Sequence, residues 1–330
     1  MGPLLVAGAL ATALATAVAV PVGAQTTTTP ATTTPSSTST PSTTPPPSTT
    51  VPGSPPPVAT PAGALGWSPL GRQVFGRPVL QTTHVGPAYV AWMDPQLVRP
   101  AVVPGTGDPG GPWPWGGQVA PDQQRYLVAA FNGGFKFGDS DGAVIAFGHS
   151  YRAPVPDEAS FVVYADGSFT VGQWNRDVDH AKQVVAVRQN LHLLVDGGAP
   201  VPAASSPGNW GGSVLGPATM RSAVGVDANG ALVWAGGRMT PLDLANTLVK
   251  AGAVRAMELD INPDWVNFNS YDVGPDGVAH GNGVFGATGS DRYLHPNGRD
   301  FIAVFVRATV QVGASDKIGV PALSATATIR

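Results

Sequence analysis

Residues 240–264 read TPLDLANTLVKAGAVRAMELDINPD, and this stretch decides the fold. It predicts a helix delivered straight into a strand. Thr240 is a good N-cap, Pro241 suits the first turn, and Asp243 stands where a capping-box acid would, although Glu is the usual choice. Leu244, Leu248 and Ala251 recur at helical spacing, with Ala245 and Val249 broadening the apolar face. Gly252 ends the helix by taking the left-handed conformation. Residues 253–259 then read as a strand. Val254, Ala256, Glu258 and Asp260 share one face, while Arg255, Met257 and Leu259 share the other. The apolar run ends on two carboxylates, and buried carboxylates need partners or a chemical task.

Outward from this unit, strand patterns dominate. Residues 88–93, 97–103, 126–131, 142–147, 160–164, 168–171, 184–187, 191–195, 223–226, 231–235 and 301–308 all read as strands. Ala165-Asp166-Gly167 and Asp227-Ala228-Asn229-Gly230 mark hairpin turns. Residues 291–294 read as a loop. Many hairpins with one or two helices predict an α+β fold. It would be a single domain over residues 63–330, with mixed or antiparallel β-sheets and a few packed helices.

The first 71 residues carry no Lys, Arg, Asp or Glu. Residues 4–22 are apolar and lead to Val22-Gly23-Ala24, small residues of the kind a signal peptidase accepts. Residues 1–24 therefore read as a signal peptide or, alternatively, an N-terminal anchor. A basic n-region is missing, and Pro21 and Gly23 end the apolar run. Residues 25–62 are Thr, Ser and Pro-rich and cannot bury enough apolar surface to order themselves. They read as a disordered spacer. The expected location is secreted or cell-envelope, with membrane contact only through the N-terminal segment.

Composition excludes several classes. The chain has no cysteine, which removes thiol nucleophiles and Cys-ligated zinc. Its net charge is −3 and no basic patch alternates with aromatics, so nucleic acid is not an expected partner. Gly133-Gly134 lacks the spacing and the Lys of a phosphate loop. Eight tryptophans weakly favour a carbohydrate-handling surface.

Four clusters carry candidate chemistry. Asn132, Gly133 and Gly134 follow a buried-looking strand; the glycines let a ligand approach the backbone, whose N–H groups suit an anion. Arg221 and Ser222 head an apolar strand, and Arg offers a fork for phosphate or carboxylate, with a surface ion pair as the bland alternative. Asp196 ends another strand, where it orients a partner or caps a turn. The loop after it, with Asn209 and Trp210, is a candidate wall of a sugar site. In the fourth cluster, Asp260, Asn262 and Asp264 match the first three spacings of a calcium loop. The match then fails, because Trp265 replaces the loop glycine and Tyr271 the final acid. An irregular site for calcium or another divalent cation stays open, and no cofactor is required. Glu258 and Asp260 on one face suit paired carboxylate chemistry, or Glu258 simply pairs with Arg255, Arg221 or Arg292.

In this order the clusters resemble the phosphodiester glycosidase family over roughly residues 85–308. Asn132-Gly133-Gly134-Phe135 matches its Asn-Gly-Gly-Phe segment. Residues 221–226, RSAVGV, match its Arg-Thr-Ala-Ile-Gly-Val strand, and Leu259-Asp260 matches its Leu-Asp motif. The family pattern continues Gly-Gly-Gly-Ser-Ser, whereas this chain has Ile261-Asn262-Pro263-Asp264-Trp265. Ile and Pro deny the close backbone approach that three glycines allow, so the pocket floor must differ. Asp291-Arg292-Tyr293-Leu294 reads as part of a rim.

The resemblance implies hydrolysis of a sugar-1-phosphodiester or related envelope glycan linkage, releasing the sugar. It implies an anion clamp from Arg221 and the Asn132-Gly133-Gly134 backbone, with Ser222, Asn262, Asp264 and Arg292 as further substrate contacts. Asp260 is implied as base or nucleophile, with Glu258 or Asp196 assisting. The expected partner is a carbohydrate phosphodiester or a cell-wall glycan. Two alternatives stand beside it: a noncatalytic domain binding envelope glycan or an anionic polymer, and a glycoside hydrolase of the same fold acting on a non-phosphorylated substrate. The enzyme reading expects Asn132, Arg221 and Asp260 to converge on one cleft.

Overall fold

The computed structural model describes residues 58–211 and 216–307, all within one compact unit. The expected leader and all but the last five residues of the spacer lie outside the described residues. Among the described residues no helix is long and apolar enough to cross a membrane.

The helix and strand read from residues 240–264 are both present. The helix spans Pro241–Lys250, and its capping box is complete: Thr240 Oγ1 accepts from the Asp243 N–H at 3.1 Å, and the Asp243 carboxylate accepts from the Thr240 N–H at 3.4 Å. Gly252 takes a φ of +94° and turns the chain into the next strand. Leu244, Leu248 and Ala251 are fully buried, as the spacing predicted.

The described strands, β1 to β18 in chain order, pair antiparallel in three sheets. The largest runs β1 (Ser68–Val74), β2 (Arg77–Val85), β3 (Ala88–Met93), β14 (Leu232–Met239), β13 (Thr219–Asp227), β15 (Ala253–Glu258), β11 (Leu193–Asp196), β12 (Ala199–Pro200). The second runs β7 (His149–Ser150), β6 (Val144–Ala146), β10 (Val184–Gln189), β8 (Ala159–Tyr164), β9 (Phe169–Gln173). The third runs β17 (Ala279–Phe285), β16 (Phe268–Val273), β5 (Leu127–Asn132), β18 (Phe301–Val306), β4 (Val98–Val103). The fold is α+β, a single domain of antiparallel sheets with a few helices. Residues 292–294, expected as loop, form one 3₁₀ turn.

The main core lies where the large sheet meets the other two. Phe131 stacks on Phe268 with centroids 5.8 Å apart, and Trp234 reaches Phe268 at 5.0 Å, so one aromatic cluster ties β5, β14 and β16 together. Met257 and Leu259 enter this core. Ala256, from the other face of β15, packs with Leu244 and Leu248 of the helix. Period-two alternation in one strand thus serves two cores.

Candidate active site

The ends of β5 and β15 and the starts of β16 and β18 meet at the joint between the first and third sheets. Backbone bonds fix the junction: Ser222 N–H donates to Asp260 O at 3.0 Å, and Gly133 N–H donates to Asp300 O at 3.0 Å. The cleft formed there is small, about 10 Å³. Asn132, Gly133, Gly134 and Asp260 line it, facing Trp265, Arg292, Tyr293, Asn297, Arg299 and Asp300.

Asp260 is 5% exposed. Its Oδ1 accepts from the N–H groups of Ile261 and Asn262 at 2.7 and 2.9 Å, and its Oδ2 accepts from Arg299 Nη2 at 3.1 Å. Burial pushes its carboxyl up to about 6, against the pull of Arg299 and the two N–H donors, and Asp300 adds to the rise. Arg299 also donates to Gly134 O at 2.8 Å, and so binds the catalytic candidate to the glycine turn.

Asp300 is held by Arg188, with Nε to Oδ2 at 2.7 Å and both side chains buried. Arg188 donates to Phe135 O at 2.6 Å as well. These charges explain the paired glycines. A Cβ on Gly133 would collide with the Asp300 carboxylate, and one on Gly134 would lie 2.9 Å from the Arg188 guanidinium. Gly133→Ala is therefore expected to cost about 3 kcal/mol of stability, read as a lowered urea midpoint. An unchanged midpoint would show that Asp300 is free to move aside.

Asn132 is a strut as much as a lining residue. Its Nδ2 donates to Gly133 O and Ser222 Oγ, both at 2.9 Å, and its Oδ1 accepts from Asn267 N–H at 3.2 Å. Ser222 is fully buried within this linkage. Arg292 lies over the Trp265 ring at 4.4 Å from its centroid and donates to Asp264 O and Asn297 Oδ1, both at 3.2 Å. Asn262 and Asp264 form the turn beneath it, with Asn262 Oδ1 accepting from Asp264 N–H at 2.9 Å. The calcium-like spacing thus builds two successive turns in which Asp260 and Asn262 cap backbone N–H groups. Among the described residues, no three of Asp, Glu and His form a group that could hold a metal ion.

Other expected residues lie elsewhere. Arg221 does not line the cleft, nor does it point into solvent. It is fully buried, pairs with the equally buried Glu258 at 2.6 Å, and donates to the carbonyls of Trp210 at 2.7 Å and Met239 at 3.1 Å. Burial pushes the Glu258 carboxyl above its usual range, against the pull of Arg221. Glu258 and Asp260 thus turn to different arginines, and the pairing alternative for Glu258 describes what is found. Asp196 is 37% exposed and pairs with Arg176 at 2.9 Å, outside the cleft. Trp210, expected as a wall of the site, is 1% exposed in the core beside the helix because its apolar ring packs there while Nε1 donates to Ala203 O.

Sequence reasoning missed Arg188, Asn190, Arg299 and Asp300. Asn190 donates to the carbonyls of Glu258 and Leu259, both at 2.9 Å, and accepts from Phe135 N–H at 3.2 Å. The signal was available: Arg188-Gln189-Asn190 ends an apolar strand in polar residues, as Glu258 and Asp260 do, and Arg299-Asp300 precedes one.

Residues 125–260 match the family model for phosphodiester glycosidase. The chain carries a phosphodiester glycosidase family domain. The matched part of this phosphodiester glycosidase domain contains Asn132–Gly134, Arg188, Arg221 and Asp260, while the facing wall from Trp265 to Asp300 lies past its end. No curated protein matches the chain. Similar solved structures include the catalytic domain of zebrafish N-acetylglucosamine-1-phosphodiester alpha-N-acetylglucosaminidase, auto-inhibited by its pro-peptide. It is 17% identical, with 72% of this chain and 87% of that one covered and a TM-score of 0.47. A hypothetical protein from Synechocystis is 14% identical, with 73% and 64% covered and a TM-score of 0.40.

Proposed function

We propose that this cleft hydrolyses a sugar-1-phosphodiester, or a related envelope glycan linkage, and releases the sugar. The observation that carries the reading is Asp260: a family-matched carboxylate on the cleft wall, held by Arg299 beside the Gly133-Gly134 turn. Cleavage at the anomeric carbon expels a phosphate monoester, already a weak base, so anion stabilisation matters more than proton donation. Arg299 and Arg292 take the clamp role that the resemblance implies for Arg221. Asp260 acts as base or nucleophile and stabilises positive charge developing on the sugar. Export of the domain to the envelope or beyond accords with this substrate. Two observations favour the noncatalytic reading: Arg221 does not join Asn132 and Asp260 in the cleft, and both Asp260 oxygens already accept protein donors.

The test is release of sugar from a set of sugar-1-phosphodiesters by purified protein, with calcium or with a chelator. Release is expected; binding without release across the set favours the noncatalytic domain. The pH profile gives a second check. The carboxylate is the active form, so kcat/KM should rise with pH up to about 6 and level off above it. Stability runs the other way: the folded state holds the Asp260 proton more tightly, so this residue's contribution falls as pH rises from 3.8 to about 6. A flat rate profile across that window would remove Asp260 from the chemistry.

A further inference from the structure

Beside the cleft lies an aromatic ledge that this chemistry leaves unused. Its base is the loop of residues 105–118, stapled over the cleft wall. Thr106 N–H donates to Asn297 O at 2.9 Å, Asp108 N–H to Gly298 O at 2.8 Å, and Asn297 N–H to Gly117 O at 2.8 Å. Asp108 faces both ways, pairing with cleft Arg299 at 3.4 Å and accepting from Phe137 N–H at 3.4 Å. From Phe137 the ledge continues outward: Tyr151 meets its ring at 5.1 Å, and the Arg152 guanidinium lies 5.6 and 5.5 Å from the two centroids. On the loop itself, half-exposed Trp113 donates from Nε1 to Gly110 O at 2.7 Å and meets exposed His149 edge-on at 6.3 Å. Tyr151 is 43% exposed.

Half-exposed rings with a polar rim and one cation suit sugar rings that carry negative charge. The flat aromatic face takes the C–H side of a pyranose at little entropic cost, and Arg152, fixed by Nη1 to Ser140 O at 3.0 Å and Nη2 to Phe137 O at 2.7 Å, supplies a positive charge for the phosphate. We propose that this ledge binds sugar-phosphate units of a polymeric glycan outside the cleft, so that the substrate is a chain rather than a small diester. The proposal rests on the reading of the cleft as a phosphodiester glycosidase site.

Two probes separate the ledge from the cleft: the benzyl diester of N-acetylglucosamine-1-phosphate, and an oligomer of N-acetylglucosamine-1-phosphate diester units. Trp113→Ala and Tyr151→Ala should each weaken oligomer binding, measured by titration calorimetry, and raise its KM about tenfold. The kcat and the benzyl diester's KM should stay unchanged. Trp113→Tyr and Tyr151→Trp, which keep a ring, should retain oligomer affinity. Equal losses on both probes, or none on either, overturn the proposal. If wild-type protein turns over neither probe, the proposed reaction fails, and calorimetry alone decides the ledge. Oligomer binding that the alanine variants lose sustains it; absence of wild-type binding overturns it.

Discussion

Asp260→Asn is expected to lower turnover of a sugar-1-phosphodiester about a thousandfold while leaving the fold intact. The amide preserves shape, and its oxygen still accepts from the Ile261 and Asn262 N–H groups. Arg299 keeps Gly134 O and Asp108 as partners. What disappears is negative charge on the cleft wall. The measurements are single-turnover kinetics and a thermal melt on the same preparation. Turnover within a few-fold of wild type would end the assignment of Asp260 as base or nucleophile. A collapsed melt would assign it a structural role instead.

The second large effect concerns Arg221, which the family resemblance implies as an anion clamp and the fold places in the interior. Arg221→Met should cost about 3–5 kcal/mol, because it strands Glu258 as an uncompensated buried charge. It also strips the carbonyls of Trp210 and Met239 of their donor. Pairing it with Glu258→Gln should recover part of that loss, since the stranded charge is then gone. Urea denaturation of both variants is the measurement. A clamp facing substrate would give the opposite pattern: a raised KM, an unchanged urea midpoint, and no benefit from the second substitution.

The helix and the inner strands were readable because local chemistry states them: a capping box, a terminal glycine, apolar alternation, Asp-Gly and Asn-Gly turns. The strands that escaped are poor in that signal. β1 lies at a sheet edge, mostly exposed apart from Val74, and β17 is an edge strand of Gly, His and Asn. β16 buries Asn269 and Ser270, residues that read as loop when met in sequence. The site divides in the same way. Asp260 and Asn132-Gly133-Gly134 were legible as polar residues ending apolar runs. Arg299 and Asp300 were readable as polar residues ahead of an apolar strand, but no local spacing reports their pairing with Asp260 and Arg188 far along the chain. Arg221 was singled out as a ligand fork, but its type alone did not distinguish that role from a buried counterion.

The position of β18 has a consequence in time. This last described strand is not at an edge; it sits between β5 and β4, and its leading residues Arg299 and Asp300 complete the cleft. Until it inserts, β5 and β4 have unpaired backbone facing one another, Asp260 lacks its counterion, and the glycine turn is unsupported. Pairings this remote form late and slowly. A chain still emerging from the ribosome or an export channel therefore lacks the Arg299 and Asp300 wall of the proposed site until this last described strand has paired.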